Sequence, residues 1–152
     1  MKKRTILLTI ILLLLPLLIL AQNENQGRLQ AYKIAFFTKR LNLTPGEAER
    51  FWPLYNEYQA KKTEIQQSRI GLNRKFNREA ASMSDEQLTA AGDKLIELEV
   101  LETELSVVFH QNLKAVLPPV KVLRLYQAEN QFRQQLLNEL QERRQQRPDI
   151  QR

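Results

Sequence analysis

The chain has 152 residues, with 23 Lys and Arg against 17 Asp and Glu, for a formal net charge of +6. It has no cysteine, which excludes a disulfide framework, a lipidated N-terminal cysteine and any thiolate metal site. The basic excess is modest and calls for no nucleic-acid partner.

The first segment, Met1-Lys2-Lys3-Arg4, is positive, and an apolar run from Ile6 to Leu20 follows with Thr9 as its only polar side chain. Ala21 and the polar Gln22-Asn23-Glu24 come next. This order describes a secretory signal peptide, cleaved after Ala21. The run is short of the ~20 apolar residues of a membrane-spanning helix. The chain is therefore expected to be exported, with an uncleaved N-terminal membrane anchor as the alternative. The expected organisation is a signal peptide at 1–21, one helical domain at 22–142 and a disordered basic tail at 143–152. Removal of Lys2, Lys3 and Arg4 leaves 20 basic and 17 acidic residues, a net +3.

No period-2 run bounded by turn residues is present, and helical periodicity dominates. The spacing predicts helix 1 over 26–40. Its apolar face has two stripes, Leu29/Tyr32/Phe36 and Ile34/Phe37/Leu41. Thr44 then reads as an N-cap, with Pro45 at the first helical position and Glu47 completing a capping box. Leu43 precedes the cap as a staple. Helix 2 is predicted from 45 to about 81, with Pro53 inside it as a bend. Phe51, Tyr55, Tyr58, Lys62, Ile65, Arg69, Leu72 and Phe76 form a coiled-coil-like seam. Lys62 and Arg69 on that seam either snorkel at the edge of a bundle or form a basic stripe on an exposed concave face.

Ser84 to Gln87 reads as a second capping box and predicts helix 3 over 85–116. Its seam is Leu88, Ala91, Leu95, Leu98, Leu105 and Phe109, widened by Leu101 and Val108, with Glu102 and Asn112 at polar steps. Gly92 is a weak point within it. Leu117-Pro118-Pro119 breaks the chain, and helix 4 is predicted from 119 to about 142. Its apolar face is Val122, Leu125, Tyr126, Phe132, Leu136 and Leu140. Seven of the eleven aromatics lie between Tyr32 and Tyr58, which places the thickest core where helix 1 meets the start of helix 2. The distal parts of helices 2 and 3 are expected to form a thinner hairpin that could serve as a dimer surface.

Chemistry is sparse. His110 is the only histidine, and a lone imidazole lacks the convergent donors of a metal site. Glu97, Glu99, Glu102 and Glu104 spread around a helix as a solvated face, with no group arranged for proton transfer. No phosphate-binding, nucleophile-elbow or dinucleotide motif occurs. The expected protein is not an enzyme and needs no cofactor or metal. Trp52 and Leu54 point away from the helix 2 seam and, if uncovered, would be an exposed apolar patch. Lys61, Lys62, Arg69, Arg74, Lys75 and Arg78 are the candidate binding residues. Lys61 faces Ile65, not an acid, four residues on, and this missing pairing favours a binding role.

Two helix starts carry a family likeness. They are Leu43-Thr44-Pro45-Gly46-Glu47 and Leu117-Pro118-Pro119-Val120-Lys121. An exported, cysteine-free, four-helix chain with these starts resembles the CpxP/Spy family of periplasmic proteins, which is marked by two LTxxQ motifs. Glu47 stands where the family has Gln, and Pro118 and Lys121 replace Thr and Gln in the second copy. The run from Phe51 through Trp52, Pro53, Leu54, Tyr55, Asn56 and Glu57 to Tyr58 is similar to the divergent members known as sensors of extracytoplasmic-function sigma factors. The resemblance implies an all-α fold of four helices with a long antiparallel hairpin, elongated and curved, that dimerises into a cradle. It implies an ATP-independent chaperone for unfolded periplasmic proteins in envelope stress. The alternative is a regulator acting on a sensor kinase or a sigma-factor pathway. Metal-responsive relatives bind zinc, nickel or cobalt through histidine-rich positions, which the single His110 disfavours here.

Overall fold

The computed structural model describes residues 27–145. The expected signal peptide and residues 146–152 of the expected tail lie outside the described residues. Among the described residues all regular structure is helical.

Helix α1 occupies 27–41. Asn42 ends it at φ 50°, a left-handed conformation that Asn tolerates, and its N–H donates to the Lys39 carbonyl at 3.2 Å. Helix α2 is Pro45–Glu79 and passes into a 3-10 turn at Ala80–Ser82. The Thr44 backbone is extended, its side chain accepts from the Glu47 N–H, and the Glu47 carboxylate accepts from the Thr44 N–H at 2.7 Å. Two of the orphan donors at the helix start are thereby satisfied. Pro53 lies inside α2 without ending it. Helix α3 is Asp85–Val116, started by the same reciprocal box between Ser84 and Gln87.

Helix α4 is Pro119–Gln145. It runs three residues past the predicted end at about 142. The Gln, Glu and Arg of this stretch are good helix formers, and Pro148, the first breaker, lies further on.

The described chain divides into two compact units, one of residues up to Asn42 with those from Leu125 onward, the other Leu43–Arg124. In the first, Phe132 of α4 gathers the rings of α1, at 5.7 Å from Tyr32, 5.3 Å from Phe36 and 5.5 Å from Phe37. The Gln135 amide also donates to the Tyr32 hydroxyl. In the second, α2 and α3 pair antiparallel: Tyr55 and Tyr58 meet Phe109, Tyr58 meets Ser106, and Lys62 meets Glu102. Phe51, Tyr55, Tyr58 and Ile65 of α2 are buried, as are Leu98, Phe109 and Leu113 of α3.

Several residues read as core are exposed. Phe76, on the α2 seam, is 46% exposed, and Leu101 and Val108 of α3 stay in solvent instead of widening its buried face. Leu29, Tyr32 and Ile34 of α1 and Leu140 of α4 are exposed too. Periodicity assigns a side chain to a helix face, but burial needs a facing partner at the same level. The buried pairing of α2 with α3 is concentrated between Phe51 and Ile65, facing Leu98 to Leu113; Phe76 lies beyond it, and Leu101 and Val108 lie within it but turned off the face that meets α2. Leu113 and Ala128, absent from the predicted seams, are buried.

Candidate functional site

The two helix starts meet. Lys121, in the first turn of α4, places its Nζ 2.6 Å from Oε2 of Glu47 in the first turn of α2, and both side chains are only 13% exposed. Their separation of 74 residues is also the spacing of the two motifs, so each holds the same place in its own helix start. Glu47 therefore serves two elements. It closes the box of α2 through the Thr44 N–H, and it holds the ammonium of α4. The Lys121 bond, followed by the Thr44 backbone N–H, holds the Glu47 carboxyl down at about 2. Pro118 offers α4 only its backbone carbonyl, which accepts from Lys121 N–H at 2.9 Å and Val122 N–H at 3.2 Å. Each motif was legible as a helix start, but nothing in either one announced that they touch.

The predicted basic run is largely engaged. Lys61 bonds Glu57 at 2.6 Å, one turn back, so its acid lies at i−4 where the sequence reading looked only to i+4. That correction removes the missing pairing as an argument for binding. Lys62 and Arg69 converge on Glu102 of α3, at 3.4 and 3.0 Å, with the carboxylate 22% exposed. Desolvation pushes the Lys62 ammonium down, but the Tyr58 and Glu102 oxygens outweigh it and hold it above its ordinary value. The polar step of the α3 seam thus meets the two cations of the α2 seam and fixes register. Arg78 lies 4.0 Å from Glu79 on the exposed surface. Arg74 and Lys75 are exposed and form no ion pair among the described residues. The six predicted residues divide accordingly: Lys62 and Arg69 paired across the α2 and α3 contact, Lys61 paired along α2, and three at the distal end.

Apolar surface is the feature that the sequence reading underrated. Ile96, Val100 and Val107 recur at i, i+4 and i+11 on α3 and are all exposed. This spacing puts them on the helix face opposite Leu98, Phe109 and Leu113. Leu101 and Val108 add exposed apolar area, and Val108 lines a shallow groove with Leu54, Tyr58 and Lys61. Trp52 is half-buried, its ring edge-on to Phe51 and Tyr55 at 5.0 and 5.8 Å, so the patch imagined around it is partly covered.

His110 is half-buried, and among the described residues no group of three or more His, Asp or Glu could hold a metal ion. Among them, too, no helix is long and apolar enough to cross a membrane. Compared with known protein families, curated proteins and solved structures, the chain matches none.

Proposed function

We propose that this is an exported, non-enzymatic protein of the CpxP/Spy kind, which holds unfolded envelope proteins without ATP. The observation that carries the reading is the exposed stripe Ile96, Val100 and Val107 with the neighbouring Leu101 and Val108. Exposed apolar side chains recurring along one helix mark a binding surface, and scattered apolar contacts of this kind give weak, adaptable holding. The exposed Arg74, Lys75 and Arg78 at the end of α2 supply long-range attraction for acidic clients. The binding surface thus shifts from the paired cations near Lys62 to the open face of α3 and the distal α2.

The test is suppression of aggregation of a reduced, unfolded client by the purified protein. Suppression at stoichiometric protein is expected, and it is weakened by Val100→Glu and Val107→Glu without loss of helicity. No suppression at that ratio sinks the reading. Capture of one discrete membrane partner with no effect on unfolded clients would point to the regulatory alternative.

A further inference from the structure

Glu47 and Lys121 form the only ion pair between α2 and α4 within the described residues of their unit. The bond is short, both side chains are mostly covered, and the carboxylate is shared with the capping box of α2. The start of α4 has no capping side chain of its own, since Pro118 carries no side-chain acceptor, and burial of Leu117 and Val122 is what else holds it. Lys121 also sits at the positive end of its helix, where a cation is disfavoured unless an anion is supplied. Glu47 supplies it. The charged group on Glu47 is Lys121 from α4, and the Thr44 hydroxyl and N–H face it from the box of α2. Arg50, three residues on in α2, has its Nε on the Gly46 carbonyl at 3.2 Å.

We propose that Glu47 is an acid-sensitive latch, whose protonation frees the first turn of α4 from the start of α2 while the paired α2 and α3 stay folded. The pairing of α2 with α3 does not depend on this carboxylate. It rests on the Tyr58 and Phe109 stack at 4.0 Å and on neighbouring apolar burial. The direction follows from linkage. The carboxyl is lower in the latched form than its ordinary 4.5, at about 2, so the latch is at full strength above 4.5 and weakens as pH falls toward 2.

The experiment is an NMR titration of the full protein from pH 7 to 2, following the backbone amides of Lys121 to Arg124 and those of Tyr55, Tyr58 and Phe109. Helical shifts in the first turn of α4 are expected to be lost between pH 4.5 and 2, with the other three amides unmoved. Glu47→Gln keeps an acceptor for the Thr44 N–H but not the charge, and should show the released α4 start already at pH 7. Lys121→Met leaves the box of α2 whole and should show the same release, with the Glu47 carboxyl returning toward 4.5. The proposal is overturned if the α4 start stays helical to pH 2. It is equally overturned if that turn melts only together with Tyr58 and Phe109, or if both variants keep wild-type shifts at pH 7.

Discussion

Truncating Phe109 to Ala tests the account of the α2 and α3 pairing most directly. The ring is 3% exposed, stacked on Tyr58 at 4.0 Å with an interplanar angle of 4°, and 6.2 Å from Tyr55. Removing a buried phenylalanine costs about 3–5 kcal/mol, from lost transfer energy and the cavity left behind. A domain of this size has about 5–15 kcal/mol in all, so the loss is a large fraction of it. At a slope of about 2 kcal/mol per molar urea, the unfolding midpoint should fall by about 2 M. Trp52 is the only tryptophan and belongs to the same unit, so its fluorescence in a urea titration reports this pairing, with far-UV circular dichroism as a second probe. Phe109→Leu, which keeps most of the volume, should cost no more than about 1.5 kcal/mol. Phe76→Ala is the internal control. It lies on the predicted α2 seam but is 46% exposed, and its removal should change stability by about 0.5 kcal/mol or less. If Phe109→Ala costs under about 1 kcal/mol, or Phe76→Ala costs as much as Phe109→Ala, the packing described above is not what holds the helices together.

Gly92→Ala should stabilise the protein by about 0.5–1 kcal/mol in the same urea experiment, because α3 is continuous there and an added Cβ meets nothing within 4 Å. Glu102→Gln should destabilise by about 1 kcal/mol, since Lys62 and Arg69 lose their shared anion, and the cost should shrink in 1 M salt. Thr44→Ala should cost about 1 kcal/mol by removing the cap of α2, read as a lower thermal midpoint. In an acid titration, the contribution of Glu47 should be complete above pH 4.5 and fade as pH falls to about 2, whereas Glu47→Gln should show a flatter stability profile over that range.

Helix boundaries were legible because they are written locally. Thr44 with Glu47 and Ser84 with Gln87 are four-residue signals, and both close as capping boxes. Burial was legible only where two seams happen to face each other. Tyr58 and Phe109 each sit on their own stripe, but so do Phe76 and Val108, and the stripe alone does not rank them. The level at which α3 passes α2 leaves Phe76 open and the turn of α3 about its axis leaves Val108 open, and both are set by long-range contacts such as Lys62 to Glu102. The same limit misled the reading of the cations. Lys62 and Arg69 look unpaired along their own helix because their acid is more than thirty residues away on the next one. The exposed stripe of Ile96, Val100 and Val107 was visible as apolar residues, but its outward aim depended on knowing which face of α3 meets α2.

The contrast between the two capping boxes explains what is particular about Glu47. At the start of α3 the third position is Gln87, and its amide oxygen accepts the Ser84 N–H at 3.0 Å. An amide is sufficient for that task. At the start of α2 the same position is Glu47, whose carboxylate accepts the Thr44 N–H and also holds Lys121. A Gln there could do the first job but would bring no charge to the second. A Gln at 121 would in turn leave the carboxylate with a neutral partner. Glu47 and Lys121, each at the third position of its helix start, are therefore physically complementary: each is useful because of the other. They turn a local helix signal into a charged link between α2 and α4, which makes that junction sensitive to acid where an amide pair would be indifferent to it.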